Sequence, residues 1–326
     1  MLLNLLEYHW VEDIDEALLL IARTDTKTVP LAGGTYLLGL DDQSIQGVVD
    51  LRDLELAYIH EDAKGVHIGA MTTLQMMVDS PVLKDLVTGL LSRAAQASSF
   101  SRLIRNSATL GGTLATGVAS QADLLTALAV LDVEVLVRSG SKAQVDLSGG
   151  SLDRPGFALA GVTYKGKQER HIPCNALSLE HRPNELIIEV VIPPTGSGYG
   201  ASFLRIGRTP TDIALLNAAA LVEVTDGVYT QVRLALGGVN MEPMRLHGVE
   251  KQLEGQHAMN PENTTINAQL LVSALQAGMA NFQPPSDFRA SSSYRRISGM
   301  NLAFRALEEA TNISRWRNMV SSKERQ

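Results

Sequence analysis

The chain has 326 residues, enough for two or three domains with a sizeable core, and its 45% hydrophobic and 19% charged residues are those of an ordinary globular protein. A net charge of −7 with no Lys/Arg-rich run argues against a nucleic-acid surface or an anionic membrane surface, because both need a concentrated basic footprint. No apolar run is long enough to span a bilayer, and Met1-Leu2-Leu3-Asn4-Leu5-Leu6-Glu7 lacks a basic region before an apolar one, so a cytoplasmic protein without membrane insertion is expected.

Asp13 reads as an N-cap, and Ile14, Ala17, Leu18 and Ile21 fall at i, i+3, i+4 and i+7, which predicts an amphipathic helix. Thr28-Val29-Pro30-Leu31-Ala32 reads as a strand running into a glycine turn, and Ile45 to Leu51 as the next strand, closing a small unit at about residue 56. Tyr58-Ile59-His60 and Gly65 to Ala70 flank the turn-like Glu61 to Lys64, a hairpin pattern. Leu83, Leu86, Val87, Leu90 and Ala94 trace one helical stripe; a helix over Leu124 to Leu131 and a strand through Val133, Val135 and Val137 follow. The spans 139 to 156 and 165 to 171 read as loops. A third unit is expected to open with the strand Glu185 to Ile192. Thr225-Asp226-Gly227 between two apolar runs is a strong hairpin signal, 246 to 253 and 267 to 280 read as helices, and Tyr294, Ile297, Met300, Phe304 and Leu307 mark a last helical stripe. The succession predicts an α+β fold rather than a doubly wound sheet.

Two glycine pairs about eighty residues apart organise the chain: Leu31-Ala32-Gly33-Gly34-Thr35-Tyr36 and Thr109-Leu110-Gly111-Gly112-Thr113. Such turns let successive backbone N–H groups approach an anion without a Cβ in the way. The GxGxxG fingerprint and the GxxxxGK[ST] loop are both absent. The single Cys174 excludes an internal disulfide and, by count alone, an iron–sulfur cluster or cysteine-based zinc site held by this chain. Seven histidines show no HExxH or paired i, i+4 spacing, so no metal site is expected, and without a nucleophile elbow or Ser/His/Asp signature no catalytic residue is assigned. Arg208, Arg289, Arg295 and Arg296 form no continuous basic stretch and read as solvated or subunit-facing.

With both turns in place, the chain resembles the flavin-binding medium subunits of the molybdenum hydroxylases, the group of carbon monoxide dehydrogenase and the xanthine dehydrogenases. Glu7-Tyr8-His9 with Glu16-Ala17-Leu18 is similar to the family's opening helix, and Leu31 to Thr35 to its first flavin turn. Ile104-Arg105-Asn106-Ser107-Ala108-Thr109-Leu110-Gly111-Gly112 is similar to its second turn, and Leu234 to Val239, Arg289-Ala290-Ser291 and Tyr294-Arg295-Arg296 to its C-terminal domain.

The resemblance implies a two-subdomain FAD-binding fold of the vanillyl-alcohol-oxidase/PCMH type over 1–174, with subdomains of about 1–56 and 57–174. A C-terminal α+β domain with a small antiparallel sheet and helices would occupy 175–326. It implies FAD with its pyrophosphate on Leu31 to Tyr36 and on Thr109, Gly111, Gly112 and Thr113. Asp123 is then either a ribose hydroxyl acceptor or an N-cap, Tyr36 a flavin contact or a packing residue, and Arg105 a ligand or a brace that sets the turn through carbonyls. The implied partners are a molybdopterin-binding large subunit and a [2Fe–2S] small subunit, with the flavin passing electrons to NAD, a quinone or another acceptor. A self-sufficient flavoenzyme of the same fold and a scaffold subunit without FAD are the alternatives. Thr113 where the family usually has Asn, Tyr36 where it has a small or acidic residue, and a longer 112–123 loop are the departures that motivate the second.

Overall fold

The computed structural model describes residues 2, 4–117, 122–140, 144–145, 162–163, 168–209, 211–240, 242–260 and 265–324. Most of the expected loop 139 to 156, residues 118–121 before Asp123, and 164–167 lie outside the described residues.

Strands β1 (Glu7–Trp10), β2 (Thr28–Leu31) and β3 (Gly47–Asp50) form a parallel sheet in the order β1-β3-β2. Every residue of the central β3 is buried, as a parallel strand covered on both faces requires. Helix α1 (Ile14–Ile21) packs Ala17, Leu18, Leu20 and Ile21 into the same apolar cluster as Val49, and Asp13 caps it by accepting the Asp15 N–H at 2.6 Å. Glu7-Tyr8-His9, expected within an opening helix, is the edge strand β1 instead. Its aromatic residues favour extended backbone, and Tyr8 and Trp10 stay on the exposed side.

The predicted hairpin forms from β4 (Ile59–Asp62) and β5 (Gly65–Gly69). Helices α2 (Leu74–Asp79), α3 (Pro81–Asp85), α4 (Leu90–Ser98), α5 (Arg102–Ser107), α6 (Leu110–Thr116) and α7 (Ala122–Ala129) follow, then β6 (Glu134–Ser139), a two-residue pair of β7 (Gln144–Val145) with β8 (Val162–Thr163), β9 (Gln168–Pro173), α8 (Leu177–Glu180) and β10 (Glu185–Ile192). The single helix expected through Leu83 and Ala94 is broken. Val87, Thr88 and Gly89 take φ of 44°, 58° and 71°, a left-handed turn that costs the two β-branched residues roughly 1–2 kcal/mol each. The Thr88 hydroxyl and the Arg93 guanidinium both donate to the Ala201 carbonyl at 3.2 Å, which anchors the break.

Strand β10, expected to open a third unit, instead pairs between β5 and β6 in an antiparallel sheet of order β4-β5-β10-β6-β9. Its apolar run is that of a central strand. Residues 168–171 of the polar span 165 to 171, read as a loop, instead belong to the edge strand β9 of this sheet.

The last unit is an antiparallel sheet of β11 (Tyr199–Ile206), β12 (Leu216–Thr225), β13 (Val228–Gly237) and β14 (Met244–Arg245), in that order, covered by α9 (His247–Leu253), α10 (Ala268–Gly278) and α11 (Ser292–Glu324). Asp226 and Gly227, at φ 52° and 78°, make the predicted β12–β13 turn. Successive side chains of β12 point to opposite faces. Ala218, Ala220 and Val222 join the core under the helices, while Ala219 and Leu221 join the core shared with α4 and α7. The buried face of α11 is Leu302, Ala303, Ala306, Leu307 and Ala310; Tyr294 and Ile297, expected on it, are exposed. Arg295, expected at the surface, is 3% exposed and donates to the Leu215 and Gly238 carbonyls and to both oxygens of Asp287.

A polar clamp joins this unit to the preceding one. Glu250 accepts from Arg245 Nε at 2.6 Å and Nη2 at 2.9 Å, from the Leu234 N–H at 2.9 Å and from His247 Nδ1 at 2.9 Å, and Arg245 Nη1 donates to the Ala129 carbonyl at 2.9 Å. Burial pushes the Glu250 carboxyl up, but these donors outweigh it and hold it below the ordinary glutamate value of 4.5. A depressed carboxylate contributes stability above its unfolded pKa and loses it as pH falls through the folded one. Glu250→Gln is therefore expected to lose about 3 kcal/mol at neutral pH, by leaving Arg245 with only the more distant and more exposed Asp132, at 3.4 Å, as countercharge. The gap from wild type should narrow below pH 4.5. Urea unfolding as a function of pH checks this, and a gap independent of pH would contradict it.

Candidate functional site

A cleft of about 390 Å³ opens between the parallel sheet and the second unit. Of the residues implied as cofactor contacts, Ala32, Gly33, Gly34, Thr35, Tyr36, Thr109, Gly111, Gly112 and Thr113 line it, whereas Leu31 and Asp123 do not. The two glycine motifs touch. A Cβ built on Gly33 would lie 1.6 Å from the Ser107 carbonyl oxygen and 3.2 Å from the Ala108 nitrogen, so only glycine lets the β2 loop close onto the α5–α6 junction. Gly34 takes φ +68°, the left-handed conformation that turns the chain around the mouth of the cleft.

The motifs differ in what they offer a ligand. Among the described residues, the N–H groups from Gly33 to Leu37 find no acceptor within the chain, and the turn beginning at Tyr36 has no side-chain cap. Successive uncommitted N–H groups in a turn of this kind form an anion-binding concavity. The second motif is committed internally. The N–H groups of Leu110, Gly111, Gly112 and Thr113 donate to the Thr72 carbonyl, the Ala70 carbonyl, the Thr109 hydroxyl and the Thr109 carbonyl, and the Thr113 hydroxyl donates back to the Thr109 carbonyl at 2.9 Å. Gly111 and Gly112 lie in the first turn of α6, just after the helix α5. Thr109 is an N-cap, and Thr113 is 1% exposed. What Gly112 contributes is space: among the described residues, a Cβ there would meet only the Thr109 hydroxyl, at 3.0 Å.

Arg105 braces this junction through Gln75 Oε1 and the Ser99 and Phe100 carbonyls. Asp123, implied as a possible ribose acceptor, is buried at the interdomain contact, where it accepts from Asn217 Nδ2 at 2.6 Å and lies 3.4 Å from Arg205 Nε. Burial pushes its carboxyl up, against the pull of Arg205 and Asn217.

Several lining residues carry no signal in the sequence. Apolar walls come from Val29, Leu37, Leu40, Leu51, Met71 and Ile187. Lys27 donates to Asp42 at 3.0 Å and Ser44 at 2.6 Å beside the cleft. Glu185 is held by Arg170 Nη2 at 2.9 Å and the Arg182 N–H at 2.9 Å, which outweigh its burial and keep it ionised. His181 is pushed down by burial. The sequence does not point to the last two, because their strand and its lead-in read as part of another unit. The cleft thus combines an apolar floor with one row of free amide donors, a fit for a flat aromatic ring system joined to a phosphate, and the close approach at Gly33 forms the cradle.

Comparison with known proteins gives the class to which this fold belongs, a flavoprotein with an FAD-binding domain. Residues 4–149 match the FAD binding domain in molybdopterin dehydrogenase, and residues 201–310 match the CO dehydrogenase flavoprotein C-terminal domain. The chain belongs to the FAD-binding medium subunits of the molybdopterin dehydrogenases, of the carbon monoxide dehydrogenase and xanthine dehydrogenase type, and is an oxidoreductase subunit. It is 27% identical over 306 residues to the glyceraldehyde dehydrogenase medium chain of Sulfolobus acidocaldarius, covering 93% of this chain and 97% of that one. With the carbon monoxide dehydrogenase medium chain of Hydrogenophaga pseudoflava it shares 25% over 308 residues, covering 93% and 96%. A solved structure of the Hydrogenophaga pseudoflava carbon monoxide dehydrogenase lacking the Mo-pyranopterin moiety superposes with a TM-score of 0.78 at 23% identity, covering 96% of this chain and 99% of that one. No helix among the described residues is long and apolar enough to cross a membrane.

Proposed function

We propose that the cleft holds FAD with its pyrophosphate on the free N–H groups of Gly33 to Leu37, that Gly112 keeps the opposite wall clear, and that Gly111 lets α6 pack closely on Ala70, where a Cβ would lie 2.8 Å from the Ala70 Cβ. The observation that carries this reading is the Gly33 contact with Ser107 and Ala108, which brings the two motifs into one cradle. Thr35 and Tyr36, whose side chains make no hydrogen bond among the described residues, supply further donors at the mouth. When bound, the flavin supplies one- and two-electron redox chemistry; the chain's own residues orient it, keep water from its apolar face and set the electrostatics around it.

In this reading the chain takes electrons from the [2Fe–2S] clusters of a small partner and passes them to NAD, a quinone or another acceptor, while a molybdopterin-binding large partner oxidises the substrate. A lone cysteine agrees with clusters held on another chain. We divide the chain after Ile192, since β10 completes the sheet of the FAD-binding domain and the C-terminal match begins at 201. Co-expression with the reading frames for a molybdopterin-binding chain and a cysteine-rich chain should give one heteromeric complex on gel filtration. A chain that elutes alone and reduces a small substrate without partners would overturn the assignment in favour of a self-sufficient flavoenzyme.

A further inference from the structure

We propose that the β4–β5 hairpin carries a divalent metal site with His60, Asp62 and His67 as its ligands. His60 and His67 are directly opposite in the hairpin register, with ring centroids 4.9 Å apart and planes 4° from parallel. Asp62 lies two residues beyond His60 on the same strand, hence on the same face, and its Oδ1 is 3.1 Å from His67 Nε2. One ligand atom from each residue falls within 4.8 Å of the other two. Turning the exposed His60 ring out of its stack on His67 and rotating the exposed Asp62 carboxylate would bring all three to a common ion at bond lengths of about 2.0–2.2 Å.

A second arrangement points the same way. Glu189, on β10, accepts from His67 Nδ1 at 2.8 Å, and its other oxygen accepts the Tyr58 hydroxyl at 2.7 Å. The His67 and Glu189 side chains are only 12% and 14% exposed, so this carboxylate holds the ring in one orientation. It fixes the proton on Nδ1 and presents Nε2 towards Asp62, as the carboxylate behind a metal-ligating histidine does. Two imidazole nitrogens and one carboxylate oxygen select Zn²⁺ or a similar borderline ion over Ca²⁺ or Mg²⁺, with the solvent side left for water. β4 is the edge strand of its sheet, and an ion here would tie it to β5 and, through Glu189, to β10. The site shares no residue with the flavin cleft and does not depend on the flavin. The sequence conceals it because His60 and His67 meet through hairpin register and not through helical spacing.

Calorimetric titration of the chelator-treated full chain with ZnSO₄ is expected to show one ion per chain. His60→Ala, a change at an exposed residue outside the cleft, should weaken uptake at least ~30-fold with flavin content unchanged, and Glu189→Gln should weaken it roughly 10-fold with the same stoichiometry. A wild-type chain that takes up no Zn²⁺, or uptake that His60→Ala leaves unchanged, overturns the site. Wild-type affinity in Glu189→Gln overturns the positioning role of Glu189.

Discussion

Gly33→Ala is expected to separate the two walls of the cleft and to cost about 3 kcal/mol of stability, the scale of overpacking at a site that cannot relax. The added methyl would sit 1.6 Å from the Ser107 carbonyl oxygen and 2.4 Å from its carbon. Both are backbone atoms, so no rotamer change relieves the overlap. The β2 loop must move off the α5–α6 junction, and with it go the free N–H groups of Gly33 to Leu37. Flavin affinity should fall with stability. Gly39→Ala is the matched control in the same loop, because a Cβ there meets nothing within 4 Å. Denaturant midpoints and bound flavin for the two variants check the argument; a Gly33→Ala protein as stable and as flavin-rich as Gly39→Ala would show that the close approach does not exist in solution.

Gly112→Asp is expected to leave the fold intact and to remove the flavin. The position is in the first turn of α6, where a carboxylate is compatible with the helix dipole. Among the described residues a Cβ there has a single close neighbour, the Thr109 hydroxyl oxygen, and the position lines the cleft. A negative charge and four extra heavy atoms then occupy the wall opposite the N–H row. The dissociation constant for FAD should rise at least ~100-fold, about 2.7 kcal/mol, with an unchanged circular dichroism spectrum. Gly33→Ala and Gly112→Asp thus separate two roles that the sequence makes look identical, one glycine for contact and one for clearance.

What the sequence shows and what it hides follows from how far apart the interacting residues are. The Asp13 cap, the Asp226-Gly227 turn and the hairpin around Glu61 to Lys64 rest on neighbours, and they form as read. The break at Val87 to Gly89 is invisible because tertiary contacts to Ala201 hold two β-branched residues against their own preference. Strand β10 reads as the start of something new because its partners β5 and β6 lie far back in the chain, so Glu185 and His181 carry no sign in the sequence that they reach the cleft. The glycine motifs are legible as motifs. That the first keeps its N–H groups free while the second commits them to Ala70, Thr72 and Thr109 is a property of packing alone. Asp123, too, reads as a site residue by its place in the order of segments, yet its partner Asn217 comes from the other domain.

The flavin content of the wild-type chain beside Gly112→Asp measures most directly whether this cleft holds FAD. Each protein is incubated with excess FAD, desalted, scanned for flavin absorbance, and its extracted cofactor identified. One FAD per wild-type chain with none in the variant is the predicted result. A wild-type chain that stays colourless after added FAD, or equal flavin in both proteins, would contradict it.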